Sequence, residues 1–424
     1  MNEKVTNGLK DLLRSNPDVG GASIGYIDNY EVSSINVGFA RISSGENMTE
    51  DHFMECASLS KTVAAAFSIE YFTSRGIPMT TSVNSLLDEA GSKWKLTLPP
   101  TNEKSSVNAK WVDDITLTML VNHTALGMHY VFGVPLSVEF PSAEALLNGS
   151  QEKTYGYAPL YVERKPGAEF KYSGGGFIVL QHLLECREGK PIASIVHPFL
   201  EKCGIADEFT FGLVLGDDAK AAYGHLTRTS EVAPEDGGRL SFPPLAAGGL
   251  CTSRALATFL SHLAKAYEAN PDVKDQPISR NTAHLMLGPK ALVNLGAYDF
   301  MRSKAGPGVF VAEAGPNRIM LHQAANEGFR GVYMLCFSGP DRGRGFVLLC
   351  NGDNPAVYFQ CEAAKLLLGR EALNIDGIDF SRERSFDMKG LKQEQIVNLG
   401  LKELVLACFT TLAIDGTKDL VSKL

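Results

Sequence analysis

Three serines in the chain each precede a lysine by three positions, the spacing at which a lysine can activate a serine hydroxyl. The pairs are Ser58 with Lys61, Ser92 with Lys95, and Ser150 with Lys153. On a helix, residues three apart share a face, so the amine lies beside the hydroxyl and can accept its proton. Ser92 and Ser150 lie in polar segments typical of solvated loops. Ser58 begins an apolar helical pattern whose N-terminal N–H groups can stabilise an oxyanion, although a helix-capping serine is an equal alternative.

Two later segments carry further groups that could serve a reacting centre. Tyr172 stands in the segment FKYSGGG, where glycines let the chain approach a pocket closely and the phenol can act as a general base. A glycine-rich turn with a packed tyrosine is the alternative. His322 stands in the segment HQAA at the end of a predicted strand, where a structural histidine is the favoured interpretation of this motif alone.

A fourth motif, Gly-x-Ser-x-Gly at residues 21–25, fits the nucleophile elbow of α/β-hydrolases. That elbow requires a strand before the serine and a helix after it. Here a helical pattern and a turn precede the motif, and an alternating strand pattern runs through it. Ser23 is therefore predicted to be a strand residue and not a nucleophile.

The order Ser-x-x-Lys, Tyr-Ser-Gly and His-x-Ala along the chain resembles that of the serine β-lactamase and penicillin-binding-protein superfamily. The nearest branch is the class C-like one, which includes family VIII esterases and related acyltransferases. The resemblance spans about residues 10–370 and lies in the order and spacing of the motifs. Supporting segments are Phe53–Thr62, Asp114–His123 (DITLTMLVNH), Pro244–Leu250 (PLAAGGL) and Gly345–Asn354 (GFVLLCNGDN).

This resemblance implies a role for each of five residues. Ser58 is the nucleophile, Lys61 its activating partner and Tyr172 the proton shuttle. His322 stands where the superfamily has the first residue of its Lys-Thr-Gly, His-x-Gly or Trp-x-Gly motif. The backbone N–H groups of Ser58 and Ala325 form the implied oxyanion hole. The resemblance implies no cofactor, and the nine histidines show no spacing typical of a metal site.

Two departures from the superfamily pattern bear on the substrate. Gly174 replaces the usual asparagine of the second motif, so a side-chain amide that contacts amide substrates is missing. His322 replaces a lysine, and histidine is mostly neutral at pH 7, so a carboxylate would lose its cationic anchor. Both changes shift the expectation from penicillin recognition toward neutral esters or thioesters.

We therefore predict a serine hydrolase that forms an acyl-enzyme on Ser58, with a small ester or thioester as substrate. An acyltransferase using the same acyl-enzyme, and a β-lactamase or D-aminopeptidase acting on an amide, are alternatives. From a different class, a non-catalytic scaffold that assembles through the C-terminal tail is a further alternative. The presence of Ser58, Lys61 and Tyr172 together argues against the scaffold, because a binding module does not require these three residues in combination.

The elements that must position these residues form two groups of strands with helices between them. Strands are predicted at 22–27 and 32–40, and again at 308–314, 318–324, 331–337 and 345–351. Helices are predicted at the N-terminus and over 58–76, 356–368 and 392–411. The predicted fold is α+β: an antiparallel sheet flanked by helices, built from both chain ends, with an inserted, mainly helical domain. The expected domains are residues 1–75 with 255–370 (sheet), 76–254 (helical) and 371–424 (a C-terminal helical appendage).

Composition predicts a globular cytoplasmic protein. The 424 residues are 44% hydrophobic and carry a net charge of -8, which disfavours a nucleic-acid partner. No apolar run reaches the roughly 18–20 residues of a membrane helix, so no membrane partner is expected. The eight cysteines form no Cys-x-x-Cys pair and lie in apolar stretches, as free thiols in a reducing compartment do. The expected partners are a small ester, thioester or amide and, as an option, further copies of the chain.

Overall fold

The computed structural model describes residues 3–100, 108–212, 220–232, 240–271, 273, 276–296 and 303–378. Its helices are α1 (Glu3–Arg14), α2 (Ser60–Ser74), α3 (Val83–Glu89), α4 (Trp111–Asp114), α5 (Leu117–Val121), α6 (Ala143–Leu147), α7 (Glu152–Tyr155), α8 (Gly174–Glu188), α9 (Ile192–Lys202), α10 (Pro244–Ala247), α11 (Ser253–Glu268), α12 (Arg280–Leu287) and α13 (Asn354–Leu368).

The strands of the same residues form one large sheet and three small ones. They are β1 (Gly21–Asp28), β2 (Glu31–Arg41), β3 (Glu46–Asn47), β4 (Met54–Ala57), β5 (Val134–Pro135), β6 (Phe209–Phe211), β7 (Gly224–Thr227), β8 (Ser230–Val232), β9 (Leu240–Ser241), β10 (Gly249–Cys251), β11 (Val293–Asn294), β12 (Ser303–Gly306), β13 (Val309–Ala314), β14 (Asn317–Asn326), β15 (Phe329–Ser338) and β16 (Arg344–Cys350). The large sheet has nine antiparallel strands in the order β11-β12-β13-β14-β15-β16-β1-β2-β3.

The large sheet joins the two ends of the described chain, as the sequence predicted. β1 pairs with β2 on one side and with β16 on the other, so the N-terminal and C-terminal strand groups meet at this pair. The α+β fold with an antiparallel sheet flanked by helices is confirmed. The domain boundaries predicted at residues 75, 254 and 370 stay a prediction.

Both faces of the sheet are buried around its central strands, where apolar side chains point to either face. In β15, Val332 and Met334 belong to the core under α1 and α13, whereas Tyr333 and Leu335 belong to the core under α2 and α11. Successive side chains of a strand point to opposite faces, so one apolar strand supplies two cores. This is why the strand segments read as nearly continuous hydrophobic runs in the sequence.

The Gly-x-Ser-x-Gly motif lies within β1, as predicted, and its second glycine has a packing role. A Cβ at Gly25 would lie 2.5 Å from the backbone oxygen of Ser253 and 2.7 Å from Cβ of Ala257, both on α11. The helix can therefore approach the strand only at a glycine. Ser23 is buried and its hydroxyl bonds to Asn36 Oδ1 and to the Ser253 hydroxyl, each at 2.8 Å.

The predicted C-terminal appendage lies mostly outside the described residues, and its helix at 392–411 lies wholly outside them. Its first residues pack on the sheet domain. Leu373 and Ile375 are buried in the core under α13, and Asn317 at the start of β14 donates a hydrogen bond to the Asp376 carbonyl at 2.8 Å. Among the described helices, none combines the length and the apolar character that crossing a bilayer requires.

Candidate active site

Ser58 lies in a tight turn between β4 and α2, with its side chain buried. Its predecessor Ala57 has a positive φ of 42°, a conformation that is uncommon for residues with a Cβ and that clusters at functional sites. The turn is closed by backbone hydrogen bonds from Leu59 to Cys56 and from Lys61 to Ser58. The helix begins at Ser60, two residues later than the sequence pattern predicted, because Ser58 and Leu59 form the turn that follows β4.

Lys61 points back from the first turn of α2 to the Ser58 hydroxyl. Its Nζ lies 3.2 Å from Ser58 Oγ and donates a second hydrogen bond to the Ala246 carbonyl at 2.5 Å. Both side chains have no exposed surface, so water does not compete for these contacts. The arrangement meets the distance requirement for a serine nucleophile with an adjacent general base.

The Ala246 carbonyl, which accepts the hydrogen bond from Lys61, belongs to α10. Hydrogen bonds to neighbouring segments hold this short helix and the residues that follow it. The N–H of Gly249 donates to the Ser60 hydroxyl at 2.9 Å. Asn326, at the end of β14, donates to the Ala247 carbonyl at 3.1 Å and to Glu55 on β4 at 2.8 Å. Sequence reasoning singled out the segment PLAAGGL but not this carbonyl, because a backbone oxygen has no signature of residue type.

Tyr172 completes the group just before α8. Lys61 Nζ lies 5.0 Å from the centroid of its ring, and Ser58 lies close enough to its hydroxyl to affect its pKa. Burial raises the pKa of Tyr172 well above its ordinary value of 10, and the nearby Ser58 side chain only partly opposes that shift. The phenol is therefore protonated at neutral pH and can act as a proton donor.

His322 and Ala325 both lie on β14, near this group. The His322 ring centroid is 6.2 Å from that of Tyr172 and 5.2 Å from that of Phe310, and the side chain is buried. Its Nδ1 lies 2.8 Å from the backbone nitrogen and 2.7 Å from the backbone oxygen of Gln323, so the ring is tied to its own strand. Ala325 directly precedes Asn326, which bonds to β4 and α10. The substrate-binding and oxyanion roles of these two residues stay predictions.

The other two Ser-x-x-Lys pairs do not bring their members together in this way. Ser92 donates to the Trp94 carbonyl at 2.7 Å and contacts His182, while Lys95 forms an ion pair with Asp88. Ser150 is exposed and bonds to the Ala145 carbonyl. Ser150 lies at the surface as predicted, whereas Ser92 is half-buried and bonds to the buried His182.

The sequence profile of the Beta-lactamase family matches residues 9–370, which is most of the chain. The chain belongs to the Beta-lactamase family. It has the fold of the family's serine hydrolases and of the transpeptidase-like proteins. The resemblance predicted from the three motifs is thereby confirmed at the level of family and fold.

Solved structures of this family share the fold at low sequence identity. The octameric penicillin-binding protein homologue from Pyrococcus abyssi is 17% identical over 90% of this chain and 80% of that chain, with a TM-score of 0.61. The D-alanine carboxypeptidase AmpC from Burkholderia cenocepacia is 16% identical over 87% and 98%, with a TM-score of 0.62. The D-amino acid amidase from Ochrobactrum anthropi SV3, solved with L-phenylalanine amide, is 15% identical over 86% and 98%, also at 0.62. No curated protein matches the chain in sequence.

One departure from the pattern expected of the Beta-lactamase family has a clear packing cause. Gly174 stands where the resemblance predicts asparagine, and a Cβ added there would lie 2.5 Å from Val131 Cγ1. The segment that carries Val131 runs close to Gly174, because the His129 carbonyl accepts a hydrogen bond from the Gly174 N–H at 2.8 Å. The position that an asparagine side chain would need is therefore occupied by an apolar group.

We expect Gly174→Ala to destabilise the protein by about 1–3 kcal/mol, because the new methyl group overpacks this contact. Without the contact, alanine at the start of a helix would stabilise it. Adding Val131→Ala removes the opposing Cγ1, and the double variant is expected to recover most of the loss. Equilibrium unfolding in guanidinium chloride of both single variants and the double variant measures the coupling. If the stability losses of the two single variants simply add in the double variant, the contact between position 174 and Val131 is not the cause.

Proposed function

We propose that this chain is a serine hydrolase that acts through an acyl-enzyme on Ser58, with a small ester or thioester as substrate. The observation that carries the proposal is the 3.2 Å separation between Lys61 Nζ and Ser58 Oγ, two groups on fully buried residues. A capping serine with an incidental lysine does not require this contact, and Ser58 itself precedes the helix.

The reaction begins when Ser58 Oγ attacks the carbonyl carbon and its proton passes to the unprotonated Lys61 amine. The negative charge that develops on the carbonyl oxygen is stabilised by the backbone N–H groups of Ser58 and Ala325, at about 3–4 kcal/mol for each donor. Tyr172 gives its proton to the departing alkoxide or thiolate and regains one from Lys61. Water then attacks the acyl-enzyme, which releases the carboxylic acid and restores the Ser58 hydroxyl.

The packing around Gly174 supports an ester over an amide. Val131 occupies the space that a side chain at position 174 would need, so no amide group can be presented from there. Next to it, Tyr130 and Phe132 are about half exposed, so the segment that borders Tyr172–Gly174 presents apolar and aromatic surface. Burial lowers the pKa of His129 in this segment, which keeps it uncharged at neutral pH. A substrate with an uncharged, apolar group suits this surface better than an anionic one.

A second candidate is hydrolysis of an amide, such as a D-amino acid amide or a D-alanyl peptide. It is favoured by the similar structures, two of which are described as a D-amino acid amidase and a D-alanine carboxypeptidase. Transfer of the acyl group to an alcohol or amine uses the same intermediate. Turnover of D-phenylalanine amide, and faster turnover with an added acceptor, distinguish these activities from ester hydrolysis.

Two further parts of the proposal concern the cellular compartment of the enzyme and its oligomeric state. The seven described cysteines are free and mostly buried, which supports a reducing compartment and the predicted cytoplasmic location. One similar structure is octameric, which supports the predicted homo-oligomer.

The decisive test is mass spectrometry of the intact protein after exposure to an activated phosphonate or a p-nitrophenyl ester. We expect one adduct per chain in the wild type and none in Ser58→Ala. Ser23→Ala and Ser92→Ala are matched controls, since they remove serines of two of the three rejected motifs and are expected to keep the adduct. Absence of an adduct on wild type would contradict the proposal and favour the scaffold.

A further inference from the structure

His123 holds the backbone on both sides of Tyr172. Its carbonyl accepts a hydrogen bond from the Lys171 N–H at 2.8 Å, and its ring Nδ1 accepts one from the Ser173 N–H at 3.0 Å. Between these two contacts, its ring stacks on the Tyr172 ring with centroids 4.4 Å apart and planes 29° apart. One residue therefore contacts three consecutive positions, and the middle one is Tyr172.

The backbone of His123 is strained in a way that serves these contacts. Its φ is 63°, one of few positive values among described residues with a Cβ. Such a conformation costs about 1–3 kcal/mol and persists only where the surroundings determine it. Here the ring is enclosed by Phe170, at 5.7 Å edge-on, and by Phe177, at 5.6 Å. The side chain is buried and its direction is fixed.

These contacts leave His123 poorly suited to transfer protons itself through Nδ1. Because the Ser173 N–H donates to Nδ1, that nitrogen is an acceptor in a backbone contact. The ring's other contribution is its face, which covers the Tyr172 ring. Lys61 Nζ also lies 5.0 Å from the centroid of the Tyr172 ring, so the tyrosine ring lies against two fixed groups. A ring held in this way keeps its hydroxyl at one place.

We infer that His123 is a positioning residue that orients Tyr172 as the proton donor to the leaving group, an inference that rests on the proposed function. The stack restricts the Tyr172 ring, and the two backbone contacts restrict the loop that carries it. Displacing a catalytic group by about 1 Å costs about a hundredfold in rate, so the contribution of His123 is measurable.

The test compares two esters of the same acid that differ in their need for a proton donor. p-Nitrophenyl butyrate has a leaving group that departs as a stable anion, whereas ethyl butyrate releases an alkoxide that must be protonated. Tyr172→Phe defines the signature of a lost donor: a loss of about 10²–10⁴-fold in kcat/KM on the ethyl ester and a much smaller loss on the p-nitrophenyl ester.

Two variants at position 123 separate the contacts of the histidine. His123→Asn keeps a hydrogen-bond acceptor and tolerates a positive φ, but it removes the stacked ring. We expect it to lose about 10–100-fold on ethyl butyrate and to stay within about threefold of wild type on p-nitrophenyl butyrate. His123→Phe keeps the ring and loses the acceptor. For His123→Phe, the ratio of kcat/KM on ethyl butyrate to that on p-nitrophenyl butyrate is expected to stay near the wild-type ratio.

A double variant tests whether His123 acts through Tyr172. His123→Asn combined with Tyr172→Phe is expected to match Tyr172→Phe alone on ethyl butyrate, because the group to be positioned is already gone. Equal losses on the two esters, or additive losses in the double variant, would overturn the inference and leave His123 a structural residue. If the wild-type protein shows no ester turnover and no Ser58 adduct, the proposed function is overturned as well. That result is distinguishable from equal or additive losses in the variants, which overturn only the role of His123.

Discussion

Lys61→Met is expected to slow the acylation of Ser58 by about 10²–10⁴-fold. The side chain of methionine has nearly the length of lysine but cannot accept a proton, so the hydroxyl loses the base that lies 3.2 Å away. The protein is expected to stay folded, because methionine fills a similar volume, with a loss of about 1–3 kcal/mol from the Ala246 carbonyl that loses its donor. Stopped-flow measurement of the p-nitrophenolate burst reports the acylation rate directly.

Lys61→Arg is the matched control for charge at this position. Arginine keeps a positive charge near Ser58 and donors for the Ala246 carbonyl, yet it is not deprotonated in proteins. If Lys61 acts as the base, the arginine variant is expected to be as slow as the methionine variant. A burst rate close to wild type in Lys61→Arg would mean that electrostatic stabilisation and not proton acceptance is the role of this lysine.

Arg330→Met is expected to lower the free energy of unfolding by about 3–5 kcal/mol. Arg330 is buried at the start of β15, where it forms an ion pair with Asp353 and bonds to Asn354 Oδ1 at 2.9 Å. It also donates to the carbonyls of Asn326 and Phe329. Removing it leaves a largely buried carboxylate and two carbonyls without this donor. Guanidinium chloride unfolding followed by circular dichroism measures the loss.

Two companion variants separate charge from geometry at this site. Arg330→Lys keeps the charge but cannot form the planar fork, so we expect an intermediate loss. Arg330→Met combined with Asp353→Leu removes both charges and is expected to recover part of the stability. If the double variant is no more stable than Arg330→Met, the ion pair with Asp353 is not the source of the effect. Because Arg330 binds the end of β14, we also expect Arg330→Met to make the backbone around Ala325 more mobile.

The parts of the fold that the sequence predicted are those with regular side-chain patterns. β13 to β16 and α13 lie within a few residues of their predicted positions, because their apolar residues recur along the whole element. The small sheet β4-β10-β6 was not predicted, since strands of three or four residues carry too little pattern. This sheet nevertheless leads directly into Ser58 and contributes Glu55 to the support of α10.

The candidate site also contains groups that residue type and order predict and groups that only the tertiary structure reveals. Ser58, Lys61 and Tyr172 were predicted from residue type and order, and the structure brings their side chains into contact. The Ala246 carbonyl escaped prediction because any residue can provide it. His123 was noted only as part of a motif, since the positive φ and the stack that distinguish it arise from tertiary contacts.

The pairing of β1 with β16 also has a consequence for biosynthesis. The strand at Gly21–Asp28 leaves the ribosome about 300 residues before its neighbour at Arg344–Cys350 has been made. At about 5–20 residues per second, the free edge of β1 waits roughly 15–60 s for its partner. An unpaired apolar strand edge can pair with other chains during that interval. For this protein, translation speed and chaperone access to the N-terminal strands thus help to decide how much enzyme a cell obtains.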